Sequence, residues 1–163
     1  MSTAGSPVDA TTETEDATGL RVAIIVARFN ADVTDRLLAG AQECFSAHGS
    51  VPGDVDVFGV PGAWELPQVA ARIVDEGDHD AVVALGCVIR GETPHFDYVC
   101  RAASAGLNAV AREAKIPVVF GVLTTDDHAQ AMARAQEGRD NKGYEAAMAA
   151  LQMARVLQSL EGR

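Results

Sequence analysis

The sequence predicts an α/β domain, a single open four-stranded parallel sheet with helices packed on both faces. Segments rich in β-branched and aliphatic residues alternate with segments of helical apolar spacing, strand then helix, along the chain. The run Val82–Ile89 is apolar throughout, as expected of a strand covered on both faces rather than one. Alanine and aliphatic side chains are abundant while only 5% of residues are aromatic, the composition of helix-on-sheet packing. At 163 residues the chain can build one domain with a real core and is too short for two.

The elements follow in order. Residues 1–19, rich in Ser, Thr, Ala and Gly and carrying Asp9, Glu13, Glu15 and Asp16 without a Lys or Arg, read as a flexible acidic tail ahead of a domain over 20–163. The first strand is expected at Arg21–Ala27. A helix over about 31–47 follows, with Val33, Leu37, Leu38, Ala41 and Phe45 at helical spacing and a close near His48-Gly49. A second strand at 54–60 leads to a helix over 65–75. The third strand is the apolar run, and its helix covers 94–114, opened by Thr93 as N-cap and Pro94 at the first helical position. A fourth strand at 117–123 precedes helices at 127–135 and 142–160.

A formal net charge of −10 argues against a nucleic-acid or anionic-membrane surface. Cys44, Cys87 and Cys100 are odd in number and show no zinc spacing, which suits reduced, buried thiols. No basic region followed by an apolar stretch opens the chain, and no apolar run reaches membrane-spanning length. The expectation is a cytoplasmic chain.

In parallel sheets of this kind, ligands bind beyond the carboxyl ends of the strands, so the side chains placed there carry the functional reading. They are Arg28-Phe29-Asn30, then Val60-Pro61-Gly62-Ala63-Trp64-Glu65-Leu66-Pro67, then Gly91-Glu92-Thr93-Pro94-His95, then Thr124-Thr125-Asp126. The third group is the most telling. A strand that runs into a helix start presents free N–H groups and the helix dipole, an anion site, and His95 falls in the first turn beside it. A proton-transfer residue next to an anion cradle suggests an enzyme acting on a phosphorylated small molecule.

Each of these residues also has a plain structural reading. His95 as a local cap, Phe29 as a cover for the sheet edge, and Glu65 as an ordinary first-turn acid all satisfy the same pattern. The sharper readings give Phe29 a flat face for a heteroaromatic ring and Glu65 a carboxylate for ring N–H groups. Trp64, the single tryptophan, reads as a packing anchor, and His48, His79 and His128 receive no chemistry.

Taken together, five ordered blocks closely resemble the 6,7-dimethyl-8-ribityllumazine synthase family. They are Ala27-Arg28-Phe29-Asn30, Val60–Pro67, the stretch Gly86–Val99 with its Arg-Gly-x-Thr-x-His-x-Asp-Tyr-Val pattern, Phe120–Thr125, and Asn141-Lys142-Gly143. The resemblance spans about residues 20–160, and the Arg90–Val99 pattern is its most specific part. It implies a flavodoxin-like three-layer sandwich. It also implies the penultimate step of riboflavin biosynthesis, condensation of 5-amino-6-(D-ribitylamino)uracil with 3,4-dihydroxy-2-butanone 4-phosphate, releasing phosphate and water, with no metal or organic cofactor. By motif position it assigns Phe29, Ala63, Trp64, Glu65, Cys87, Val88, Ile89 and Phe120 to the pyrimidine and ribityl chain, with Lys142 near its polar groups. Glu92, Thr93 and Arg134 would hold the butanone phosphate, and His95 would donate the proton.

The resemblance further implies a homopentamer, or a decamer or icosahedral shell built on it, with active sites between subunits, Phe120 and Arg134 facing residues Phe29 to His95 of the adjacent chain, and riboflavin synthase as a protein partner. Three departures stand out: Cys87 at a variable strand-end position, Gln136 where a glycine is frequent after the Arg134-Ala135 pair, and a longer acidic tail. Two other classes compete with the enzyme: a binding module for a flavin-like or phosphorylated ligand, and a cage-forming scaffold. Retention of His95, Arg134, Thr93, Glu65 and Phe29 favours the enzyme.

Overall fold

The computed structural model describes residues 15–162 and contains the expected sheet. Strands β1 (Val22–Ala27), β2 (Val55–Val60), β3 (Ala81–Ile89) and β4 (Val118–Thr125) pair in parallel in the order β2-β1-β3-β4. Helices α1 (Ala31–Ala47), α2 (Leu66–Glu76), α3 (His95–Glu113), α4 (His128–Arg134) and α5 (Lys142–Leu160) fill the connections and the C-terminal end.

Side-chain alternation along the central strands builds two separate cores. Val22, Ile24 and Val26 of β1 and Val83, Leu85 and Cys87 of β3 meet α1 and α5 on one face. Ala23, Ile25 and Ala27, with Val82 and Ala84, meet α2 and α3 on the other. All six residues of β1 are buried, so a hydrophobic run without polar alternation is what a doubly covered strand requires. The edge strands are more open, and Val57, Phe58 and Phe120 are exposed.

Several boundaries differ from expectation. β4 continues to Thr125 because Thr124 and Thr125 stay in register with Val88 and Ile89 of β3, and the Thr125 carbonyl accepts the Arg90 N–H at 2.9 Å. β-branched threonines suit a ladder as well as a turn. The third helix begins at His95, with Pro94 as its cap residue rather than its first helical one. Thr93 is therefore not the cap: its hydroxyl meets the His95 N–H at only 3.4 Å. α2 is preceded by a separate 3-10 turn over Ala63–Glu65.

Residues 1–14 of the expected tail lie outside the described residues; within 15–19 only Ala17 is buried. Ala17 is fully buried in the core under α1 and α5, and its N–H donates to the His48 carbonyl at 2.8 Å. The Arg155 guanidinium donates to the Asp16 carbonyl from α5. A small apolar residue between polar neighbours gave no sign of this.

Two residues knit α5 to α1. Asn141 caps α5, its Oδ1 accepting the N–H groups of Gly143 and Tyr144, while its Nδ2 donates to the Arg36 carbonyl of α1 at 3.1 Å. Gly143 lets the two backbones touch. Three histidines left without chemistry are structural ties: His79 to Asp56, His128 to Asp32, and His48 Nδ1 to the Cys44 carbonyl of its own helix. The His79 hydrogen bond holds the Asp56 carboxyl below the usual range.

Candidate active site

The strand order reverses direction between β1 and β3, and the carboxyl ends of those two strands form the crevice where such sheets bind ligands. A single side chain bridges it. Asn30 donates its Nδ2 to the Cys87 carbonyl at 2.9 Å, joining the end of β1 to the end of β3. Asn30 also adopts φ 59°, ψ 50°, the only left-handed non-glycine conformation among the described residues. The chain turns there directly into α1, while the backbone N–H groups of Arg28 and Phe29 donate to the Val60 and Pro61 carbonyls. Phe29 is thus pinned by its backbone and left 72% exposed by its ring.

A cavity of about 510 Å³ opens over this crevice. Phe29, Ala63, Trp64 and Glu65 line one side, and Cys87, Val88, Ile89 and His95 the other. Eight residues that sequence reasoning singled out therefore share one cavity. Asn30, Pro61, Gly62 and Val99 complete its wall. Asn30 was named in the sequence among the strand-end residues but given no role; an asparagine just after a strand-end aromatic, tolerant of positive φ, was the available signal.

Glu65 is oriented by local structure: its Oε2 accepts the Gly62 N–H at 3.0 Å, closing the 3-10 turn on itself. Trp64 is not the packing anchor expected, since it stands 59% exposed at the cavity rim. Two exposed aromatics facing one concave surface are what a stacked ligand or a second chain covers. Cys87 contributes backbone rather than thiol, because its side chain lies in the core on the α1 face and burial pushes the thiol up to about 11. Cys44 is likewise buried, its thiol pushed up to about 12, whereas Cys100 is only half-buried.

The other candidates lie elsewhere. Phe120, Arg134 and Lys142 line a second depression of about 390 Å³ along β4 and α5, and it shares no lining residue with the first. Arg134 donates to the Gln130 carbonyl of its own helix at 3.0 Å, and Lys142 pairs with Glu145 at 2.7 Å. Gln136 folds back onto the Met132 carbonyl at 3.0 Å, capping α4 where glycine is frequent. Glu92 and Thr93 sit exposed on the loop between β3 and α3 and line neither cavity.

A family model for 6,7-dimethyl-8-ribityllumazine synthase matches residues 19–158 of the 163. The chain belongs to this family. Its members are transferases, the lumazine synthases of riboflavin biosynthesis. Among the described residues, no group of three or more His, Cys, Asp or Glu side chains is placed to hold a metal ion. No described helix is long and apolar enough to cross a membrane.

Proposed function

We propose that the chain condenses 5-amino-6-(D-ribitylamino)uracil with 3,4-dihydroxy-2-butanone 4-phosphate, forming 6,7-dimethyl-8-ribityllumazine and releasing phosphate and water. The observation that carries this reading is the convergence of an exposed aromatic, an oriented carboxylate and a histidine on the crevice between β1 and β3. Phe29 offers a stacking face to the pyrimidine, Glu65 accepts its ring N–H groups, and the backbone at Cys87–Ile89 lies alongside. The Gly91–Pro94 loop at the start of α3, with Thr93, receives the phosphate of the second substrate. Attack of the amine on the ketone, loss of phosphate, ring closure and dehydration need proton transfers, for which His95 stands at the cavity wall. Phosphate leaves readily once its charge is held, so positioning two substrates supplies much of the acceleration.

The site is read as shared between copies. Arg134, Lys142 and Phe120 belong to the depression on the β4 edge, so in a closed ring one chain's β4 edge completes its neighbour's β1–β3 crevice. A homopentamer in the cytoplasm, alone or in a larger shell, fits this arrangement.

Incubation of the purified protein with both substrates should yield the lumazine absorbance; no product in the presence of intact, assembled protein contradicts the reading. Arg134→Ala and Thr93→Ala should each weaken the butanone phosphate roughly 10- to 100-fold, since hydrogen bonds to charged groups contribute about 1.5–3 kcal/mol. Pyrimidine affinity should hold within about 2-fold on the same scale. Calorimetric titration of each substrate separates the two, and equal loss of both affinities would reject the assignment. Phe29→Ala should instead weaken the pyrimidine, by about 1–3 kcal/mol if base-like stacking is lost, with Phe29→Trp retaining it. Normal pyrimidine binding by Phe29→Ala would reduce Phe29 to a cover for the sheet edge.

A further inference from the structure

Arg90 follows β3 and opens the loop that carries Glu92 and Thr93 and leads into α3 at His95. Its Nε donates to Asp126 Oδ1 at 2.9 Å, at the end of β4. Its Nη1 lies 3.7 Å from Asp97 Oδ1, in the first turn of α3. The guanidinium carbon stands 4.3 Å from the centre of the Phe96 ring, and the backbone N–H donates to the Thr125 carbonyl. Residues 90 and 97 flank the loop, so one side chain closes its two ends on each other.

Within the loop itself little else holds. Gly91 to His95 are all exposed, and the Thr93 hydroxyl meets the His95 N–H only at 3.4 Å. Phe96, by contrast, is buried beneath the guanidinium. Stability does not explain the arrangement, because ion pairs this exposed contribute about 0–1 kcal/mol. Orientation does. A planar fork can bond one carboxylate, face a second and stack on a ring at once, which an ammonium cannot.

We propose that Arg90 is a positioning residue that clasps the Gly91–Pro94 loop against Asp126 beyond β4 and Asp97 of α3 and so sets Thr93 and His95 for the phosphate-bearing substrate. The substrate in this statement rests on the function proposed above; the clasp itself does not. Arg90 touches no reacting group in this role. It also joins the loop to the α4 segment, because the Asp126 N–H donates to Gln130 Oε1 and the Gln130 carbonyl accepts from Arg134. One side chain thereby links the His95 half-site to the Arg134 half-site of the same chain.

Arg90→Met, which keeps the apolar stem, and Arg90→Lys, which keeps the charge, test this in the assembled protein. Hydrogen exchange across residues 90–98 should quicken by roughly 10-fold in Arg90→Met, about 1.4 kcal/mol of lost local closure, while α5 exchanges as before. KM for the butanone phosphate should rise by a similar factor, with the pyrimidine KM and the Tm nearly unchanged. Arg90→Lys should behave nearer to Arg90→Met than to wild type. Unchanged exchange over 90–98 overturns the clasp whether or not the protein makes lumazine, and full recovery by lysine overturns it by reducing Arg90 to a charge. A Tm that falls with both KM values rising together overturns it in favour of a merely structural role. Absence of lumazine formation by wild type would count against the proposed function alone, and the exchange comparison would still decide the clasp.

Discussion

Gly143→Ala is expected to destabilise the domain by about 1–3 kcal/mol or more, the usual range for overpacking. A Cβ at this position would lie 1.9 Å from the Leu37 carbonyl oxygen and 2.6 Å from its carbon. Both are backbone atoms of α1, so no side chain can swing aside. Relief requires α5 to move away from α1, which would strain the bond from Asn141 to the Arg36 carbonyl and open the core around Ala147 and Leu151. At about 2–4 °C per kcal/mol for a chain of this size, the Tm should fall by several degrees. Gly53→Ala is the control: nothing lies within 4 Å of its added Cβ, and its effect should stay within about 0.5 kcal/mol. Equal denaturation midpoints for the two variants would mean that α1 and α5 do not approach as described.

The same contact shows how the Asn141-Lys142-Gly143 block divides its labour. Asn141 and Gly143 are there for the α1–α5 junction, and only Lys142 faces the depression on the β4 edge. A motif read from sequence does not distinguish these parts, since capping, close approach and ligand binding all demand particular residue types at fixed spacing.

Much of the fold was legible because its signals are periodic. The unbroken apolar run of β3 and the spacing of Val33, Leu37, Ala41 and Phe45 on α1 place strand and helix on their faces without further information. The crevice residues were legible for a topological reason: in a parallel sheet every carboxyl strand end reaches the same edge, so Phe29, Glu65, Val88 and His95 had to be neighbours. What escaped depends on single contacts. Thr93 is not the cap because the helix begins two residues later, at His95. Trp64 is exposed because the 3-10 turn at Ala63–Glu65 rotates it outward from α2, whereas Ala63 and Leu66 on either side turn inward. Asn30 matters through its backbone conformation and one amide bond, neither of which has a periodic signature. The burial of Ala17 depends on a groove formed by α1 and α5, far away in sequence.

Separation of the candidates into two cavities bears most on function, and it was legible only through the family resemblance, which sets Phe120 and Arg134 against Phe29 to His95 of an adjacent chain. Phe120 lies near the start of β4, Arg134 ends α4 and Lys142 opens α5, so strand-end logic does not reach them; β4 is the outer strand, and their depression shares no lining residue with the β1–β3 crevice. Each depression carries an exposed aromatic, Phe29 in one and Phe120 in the other, and in the proposed shared site each would be one half.

Mixing of half-site variants tests this most directly. His95→Ala should slow turnover by roughly 10- to 10³-fold, at and below the usual contribution of an acid–base group, and Arg134→Ala should lose its hold on the phosphate. After dissociation and reassembly of the two in equal amounts, random assortment around a closed ring should leave roughly a quarter of the sites with both intact halves. Activity should then rise well above the mean of the two parent variants, toward about a quarter of wild type on that same count. Mixed assemblies no more active than that mean, or a fully active monomer by light scattering, would contradict a site shared between chains.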